Sequence, residues 1–293
     1  MNLIKKKRRK NRFSPLVVVL FVCLAAYCVF LCGLLLWGLL TALKEPLAFN
    51  GNRTGLPDPW YFKNFGYVLK NATLKKNGVE VPFWSIVWNS VVYSVGCAFA
   101  NTLVLCLTAY LCARYACWFS KFIYSLVLVV MTIPIVGSQI SELEFSIRLN
   151  LYDTWLGMLV MRANFLGLYY LIFYEIFKST PKAFSEAAEI DGANDWQIMI
   201  KIFLPISANT FLTVLIINFI GYWNNYQVPM VFVPSHPTLA EYMFAITNMR
   251  HKLFGYIPVR MAAAFMLLFP VAVLFLVFNK KLLGNLSIGG VKG

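Results

Sequence analysis

Apolar residues along this chain come in long unbroken blocks separated by short polar gaps. Residues 16–40 carry no charge. At 1.5 Å per residue, a helix over that stretch crosses a hydrocarbon core of ~30 Å with some tilt. The block is too long for a signal-peptide core and has no small-residue cleavage site before Lys44, so it reads as a retained anchor. Five further blocks follow, at about 84–113, 122–140, 155–177, 209–233 and 261–278. The pattern predicts an all-α integral membrane protein with six transmembrane helices. Membrane-crossing strands are excluded because backbone amides in lipid need internal partners and these blocks are too long and too uniformly apolar for an alternating barrel.

The gaps assign sides. Residues 5–12 hold Lys5, Lys6, Lys7, Arg8, Arg9, Lys10 and Arg12, and a basic block before the first span holds the N-terminus in the cytoplasm. Six crossings return the C-terminus to that side. The expected organisation is a basic cytoplasmic N-terminus (1–15), a six-helix membrane domain (16–279) and a cytoplasmic tail (280–293). The loop from about 44 to 81 falls outside, with Trp60, Tyr61, Phe83 and Trp84 as interfacial aromatics.

Composition agrees. The chain is 60% hydrophobic and 13% charged, against ~45–50% and ~25% for soluble domains. The net charge of +14 would point to nucleic acid on a soluble protein. Here it marks topology and attraction to anionic lipid, so no nucleic-acid partner is expected. Both histidines, His236 and His251, lie in one late loop and cannot assemble a metal site. The seven cysteines fall within or beside the apolar blocks and read as packing residues rather than a disulfide framework.

The polar segment between the fourth and fifth blocks, 178–208, has its own pattern. Pro181 after Ser179 and Thr180 suits the first turn of a helix. Glu186 and Glu189 follow in a short helical run that Gly192 can end, because glycine leaves the helical region without steric cost. Asn194 or Asp195 can cap a second helix, along which Trp196, Met199, Ile200 and Phe203 recur at helical spacing up to a turn or kink at Pro205.

Glu186, Ala187, Ala188, Asp191, Gly192, Ala193, Ile202, Leu204 and Pro205 together resemble the EAA signature of membrane subunits of ABC importers. Other segments carry the likeness further. Asn89-Ser90 opens the second span, and Tyr110 and Arg114 close it. The stretch Asn218 to Asn225, then Pro229, is similar to the family's aromatic Trp-Asn segment. Phe278-Asn279-Lys280-Lys281 and the ending Gly289-Gly290-Val291-Lys292-Gly293 are similar to its tail. Met199 and Asn209 depart from it, standing where Phe and Pro are usual. The likeness is nearest to the carbohydrate-uptake branch, in particular the maltose-type second permease.

The resemblance implies a bacterial cell-membrane permease. It would form one pathway with a second permease subunit, two ATPase subunits and an extracytoplasmic solute-binding protein, for a sugar or oligosaccharide. The helix-turn-helix at 178–208 would dock on the ATPase through Glu186, Ala187, Ala188, Asp191, Gly192, Ala193 and Pro205. No cofactor is expected on this chain. Residues 284–289 have the first spacing of a phosphate loop, but Gly290-Val291 follows instead of Lys-Ser or Lys-Thr. ATP and Mg would be used by the partner subunits.

Polar groups at membrane depth are functional candidates by default. These are Gln139 and Glu142 (with Glu144) beyond Pro134 in the third span, Arg162 and Asn164 in the fourth, and Asn218, Tyr222, Trp223, Asn224 and Asn225 in the fifth. Arg162 is placed to pair with Glu142 or Glu144. The aromatic faces and amides of the fifth span suit sugar, and equally suit capping and anchoring of a helix end. Two other functions remain open: a permease for a non-sugar solute, and a membrane enzyme acting on lipid or glycan. The enzyme needs convergent catalytic groups, and Glu142 and Glu144, two apart, do not share a helix face.

Overall fold

The computed structural model describes residues 14–286 apart from 72, 77, 134–136 and 249–254. The basic N-terminal block, Pro134, His251 and the glycine-rich ending lie outside the described residues.

Helix α1 (Pro15–Ala42) is exposed along most of its length and touches the rest of the bundle near its C-terminal end. There Gly38 lies against Phe265 and Met261. A polar segment follows, with α2 (Lys63–Asn71) and a two-stranded antiparallel hairpin, β1 (Thr73–Lys76) and β2 (Val79–Pro82), in which Thr73 faces Pro82. Lys44 is buried here, and its ammonium donates to the carbonyls of Asn52 (2.9 Å) and Arg53 (3.1 Å). A buried cation is tolerable when its donors are met this way.

The remaining helices are α3 (Phe83–Arg114), α4 (Trp118–Thr132), α5 (Ser138–Arg148), α6 (Trp155–Arg162), α7 (Leu168–Ser179), α8 (Ala183–Ile190), α9 (Asp195–Ile198), α10 (Leu204–Asn224), α11 (Gln227–Phe232), α12 (Leu239–Asn248) and α13 (Ile257–Leu286). A π-helical turn, Met199–Phe203, joins α9 to α10 without a break. Pro205 just beyond it has no N–H and crowds the carbonyl four residues back, and widening the turn relieves that clash.

Among the described residues, four helices are long and apolar enough to cross a membrane: Pro15–Ala42, Phe83–Arg114, Asp195–Asn224 and Ile257–Asn279. The third and fourth expected spans are interrupted. The helix expected over 122–140 stops at Thr132 and resumes at Ser138. The helix expected over 155–177 stops at Arg162 and resumes at Leu168. Gly167 has φ 155 and ψ 176, a region that side chains with a Cβ avoid. The fifth span ends at Asn224 rather than 233, because the Asn225 side-chain oxygen accepts the Val228 N–H and starts a new short helix. The last helix runs past the expected boundary at 279 to Leu286 and carries Pro270 inside it.

Helix α3 is central. Its buried residues enter three apolar clusters. One includes Phe83, Ile86, Trp223 and Tyr242. The second includes Leu105, Tyr110, Phe173 and Phe203. The third includes Tyr93, Cys97, Met158 and Phe232. Other faces of the long helices present exposed Trp88, Phe99, Phe269 and Leu276, as a lipid-facing surface requires.

Candidate functional site

The segment 183–203 folds as two short helices around a glycine turn. Asp191 closes α8, and Gly192 takes φ +79. Ala193 N–H bonds the Ala188 carbonyl at 2.9 Å, and Gly192 N–H bonds the Glu189 carbonyl at 3.0 Å. This is the Schellman pair of hydrogen bonds. Ala188 and Ala193, the hydrophobic partners of such a cap, both pack against the core cluster of Tyr110, Phe177 and Phe203. The second helix opens with a capping box: Asn194 accepts from the Gln197 N–H, and the Gln197 side chain accepts from the Asn194 N–H. Asn194, not Asp195, is therefore the cap. Pro181 lies just ahead of the first helix rather than within it.

One side of this pair faces the bundle, with Ser185, Ile198 and Phe203 buried. The other side is open. Glu186, Ala187, Asp191 and Gly192 are exposed, beside the uncovered side chains of Phe184, Ile190 and Trp196. Ile190 is 87% exposed at the turn. Pro205 sits inside the first turn of α10 and fixes the exit of the pair. Arg114 at the end of α3 donates to Glu189 at 2.6 Å. The Tyr115 phenol is pushed up to about 12, first by partial desolvation and then by the Asp195 carboxylate beside it.

A second arrangement lies inside the bundle. Asn101 Nδ2 on α3 donates to the carbonyls of Arg162 (3.1 Å) and Asn164 (3.0 Å). These carbonyls lie at and just beyond the end of α6, where the helix no longer supplies donors four residues on; the Arg162 carbonyl also accepts the Asn164 N–H at 3.0 Å. Asn218 Nδ2 on α10 donates to Asn101 Oδ1 and Thr102 Oγ1, both at 3.0 Å. Asn101 and Thr102 do not figure among the sequence-derived candidates, although an amide within a long apolar block is itself the signal.

Arg162 pairs with Glu142 Oε2, and Ser138 Oγ donates to Glu142 Oε1 at 3.0 Å. The guanidinium also lies over the Phe232 ring, 5.1 Å from its centre. Glu144 instead pairs with Arg148 on its own helix. The two carboxylates are thus occupied separately and form no acid pair. Gln139 and the side chain of Asn164 are exposed.

The fifth-span cluster divides. Tyr222 packs edge-on against Tyr93 at 5.7 Å beside the Arg162 region. Trp223 is buried and donates to the Leu267 carbonyl at 2.9 Å, tying α10 to α13. Asn224 bonds back to the Ile220 carbonyl, and Asn225 caps α11. Of these five residues only Asn218 and Tyr222 face the interior polar region. At the bundle end away from the helix pair, Asn89 and Ser90 hold the Pro237–Leu239 backbone. There too, Asp153 binds the Ser235 N–H and hydroxyl.

A family model described as "Binding-protein-dependent transport system inner membrane component" matches residues 106–281. The chain belongs to that family.

It is accordingly a transport permease embedded in a membrane, not an enzyme. The matched span includes the helix pair 183–203, the interrupted α6–α7 region and most of α13. Among relatives, the chain is 27% identical over 259 residues to the diacetylchitobiose uptake system permease protein NgcG of Streptomyces coelicolor, covering 87% of this chain and 82% of that protein. It is 25% identical over 289 residues to the arabinooligosaccharides transport system permease protein AraQ of Halalkalibacterium halodurans, covering 97% and 100%. It is 26% identical over 258 residues to the melibiose/raffinose/stachyose import permease protein MelC of Bacillus subtilis, covering 78% and 90%. Its fold matches a chain of a bacterial ABC transporter involved in the import of the acidic polysaccharide alginate, with a TM-score of 0.77 and 21% identity over 90% of this chain and 95% of that one.

Proposed function

We propose that this family member is one of two permease subunits of an ATP-driven importer for a sugar or oligosaccharide in the bacterial plasma membrane. The observation that carries the reading is the helix pair 183–203. It is capped at its turn, packed to the bundle on one side and open on the other, where Glu186, Ile190 and Trp196 project. An exposed apolar patch of this kind marks a protein contact, and an ATPase subunit is its occupant. Glu186 offers a carboxylate to a basic group there, Ala187 and Ala188 permit close approach, and Ala193 and Pro205 set the pair against the bundle. Two ATPase subunits use ATP and Mg on that face, so the helix pair and both termini are cytoplasmic. A solute-binding protein delivers substrate at the opposite end.

The six crossings of the membrane domain include two interrupted ones, α4 with α5 and α6 with α7. Irregular backbone at membrane depth is tolerated where it is buried in protein or lines a cavity, and the interruption at 163–167 is the candidate pathway wall. Asn218, Asn164, Tyr222 and the Arg162–Glu142 pair lie along it, with Gln139 at its rim. Amide, hydroxyl and aromatic groups suit a polyhydroxylated ligand. The named substrates of the relatives above, mainly oligosaccharides, support the class.

The test is uptake. Cells lacking this gene are offered labelled oligosaccharides, free amino acids and phosphate. Loss of uptake of an oligosaccharide alone supports the reading. Loss confined to a non-sugar solute overturns the substrate class.

A further inference from the structure

The end of α3 meets the helix pair through two consecutive residues. Arg114 Nη2 holds Glu189 Oε1 of α8 at 2.6 Å. Tyr115 lines one cavity together with Asp195 and Trp196 of α9. The ion pair lands on one helix and the cavity borders the other, so the end of α3 adjoins both sides of the Gly192 turn. Arg114 is mostly buried, at 18% side-chain exposure, while Glu189 is half exposed. The apolar floor beneath them is shared, because Tyr110 stacks tilted on Phe203 at 5.1 Å and edge-on to Phe177 at 5.8 Å.

The same helix carries Asn101, the residue that holds the α6–α7 interruption. Asn101 and Arg114 are roughly 20 Å apart along the axis at 1.5 Å per residue. The stretch between them contains no Gly or Pro and lies within one continuous helix. We infer that Arg114 and Tyr115 are positioning residues that carry a displacement of the helix pair into α3 and, through Asn101, to the interruption at 163–167. This rests on the ATPase-docking reading above. The competing description is a half-exposed ion pair of the kind that contributes little, with motion passing only through the continuous α9–α10 helix. The two descriptions differ in what breaking the pair does.

The experiment uses the full permease–ATPase complex in lipid nanodiscs, with and without ATP–Mg, read by hydrogen exchange and mass spectrometry over peptides spanning 160–168. In the unmodified complex ATP–Mg changes exchange there. In Arg114→Glu, which sets two carboxylates together, that change falls at least fivefold while ATP hydrolysis stays within about twofold. The charge swap Arg114→Glu with Glu189→Arg restores it. A response in Arg114→Glu equal to the unmodified complex overturns the inference. So does the absence of any ATP-dependent change in the unmodified complex, or a loss that the swap fails to restore, including loss of assembly. If no ATPase purifies with the unmodified chain, the docking reading itself fails, which is a separate result.

Discussion

Asn218 on α10 donates to Asn101 on α3 at 3.0 Å, and Asn101 in turn holds the carbonyls of Arg162 and Asn164. This amide relay braces the interruption of the fourth span from two other helices. Asn101→Leu removes the side-chain donor from both carbonyls and leaves the Arg162 carbonyl only the Asn164 N–H. Interhelical hydrogen bonds in membranes are worth about 0.6 kcal/mol on average and up to about 1.7, so losing several together costs about 2 kcal/mol. The melting temperature of the purified protein falls by roughly 4–8 °C. Asn218→Ala spares the carbonyl contacts and shifts it by less than half as much.

Gly192 sits at φ +79 with open space around its Cα, so conformation rather than crowding limits substitution. Gly192→Val strains the turn by roughly 1–2 kcal/mol and misplaces Ala193. Membrane levels stay unchanged while ATPase recovered with the chain drops. Gly192→Asn, tolerated in the left-handed region, keeps most of that recovery. Equal recovery for Val and Asn counts against the turn.

The Arg162–Glu142 pair is partly buried, with side-chain exposures of 16% and 33%. Removing one partner strands the other, and removing both with apolar residues does not. Arg162→Leu alone destabilises by about 1–3 kcal/mol, and Arg162→Leu with Glu142→Leu recovers at least half. A double-mutant cycle in detergent melts measures the coupling, and strict additivity contradicts the pairing.

Tyr115, pushed up to about 12 from an ordinary 10.0, gives a pH signature outside the membrane. A raised folded value means the contribution is fully present below pH 10 and is lost as pH rises through about 12. The difference in melting temperature between wild type and Tyr115→Phe therefore stays constant from pH 7 to 9, and wild type falls relative to Tyr115→Phe above pH 10. A wild type that gains on Tyr115→Phe above pH 10 has the wrong sign.

The long blocks at 16–40, 84–113 and 261–278 were legible because nothing interrupts their hydropathy. The helix pair was legible because Gly192 and Asn194 punctuate it. The breaks in the third and fourth spans were not. Residues 155–177 read as one apolar run, and the donors that make a break there tolerable come from Asn101, on a different helix. Trp223 and Asn225 suited sugar and helix anchoring equally in the sequence, and in the structure they form a helix tie and a cap. Amides and indoles serve packing and binding with the same atoms, so residue type alone does not separate the two.

Purifying the tagged chain from its native membrane in mild detergent and identifying what accompanies it tests the docking role of the helix pair. An ATPase subunit and a second permease accompany the chain in stable stoichiometry, and the ATPase is lost when Glu186→Lys is combined with Ile190→Asp. A chain that purifies alone, or that keeps its ATPase with both exposed contacts removed, rules out docking through the helix pair.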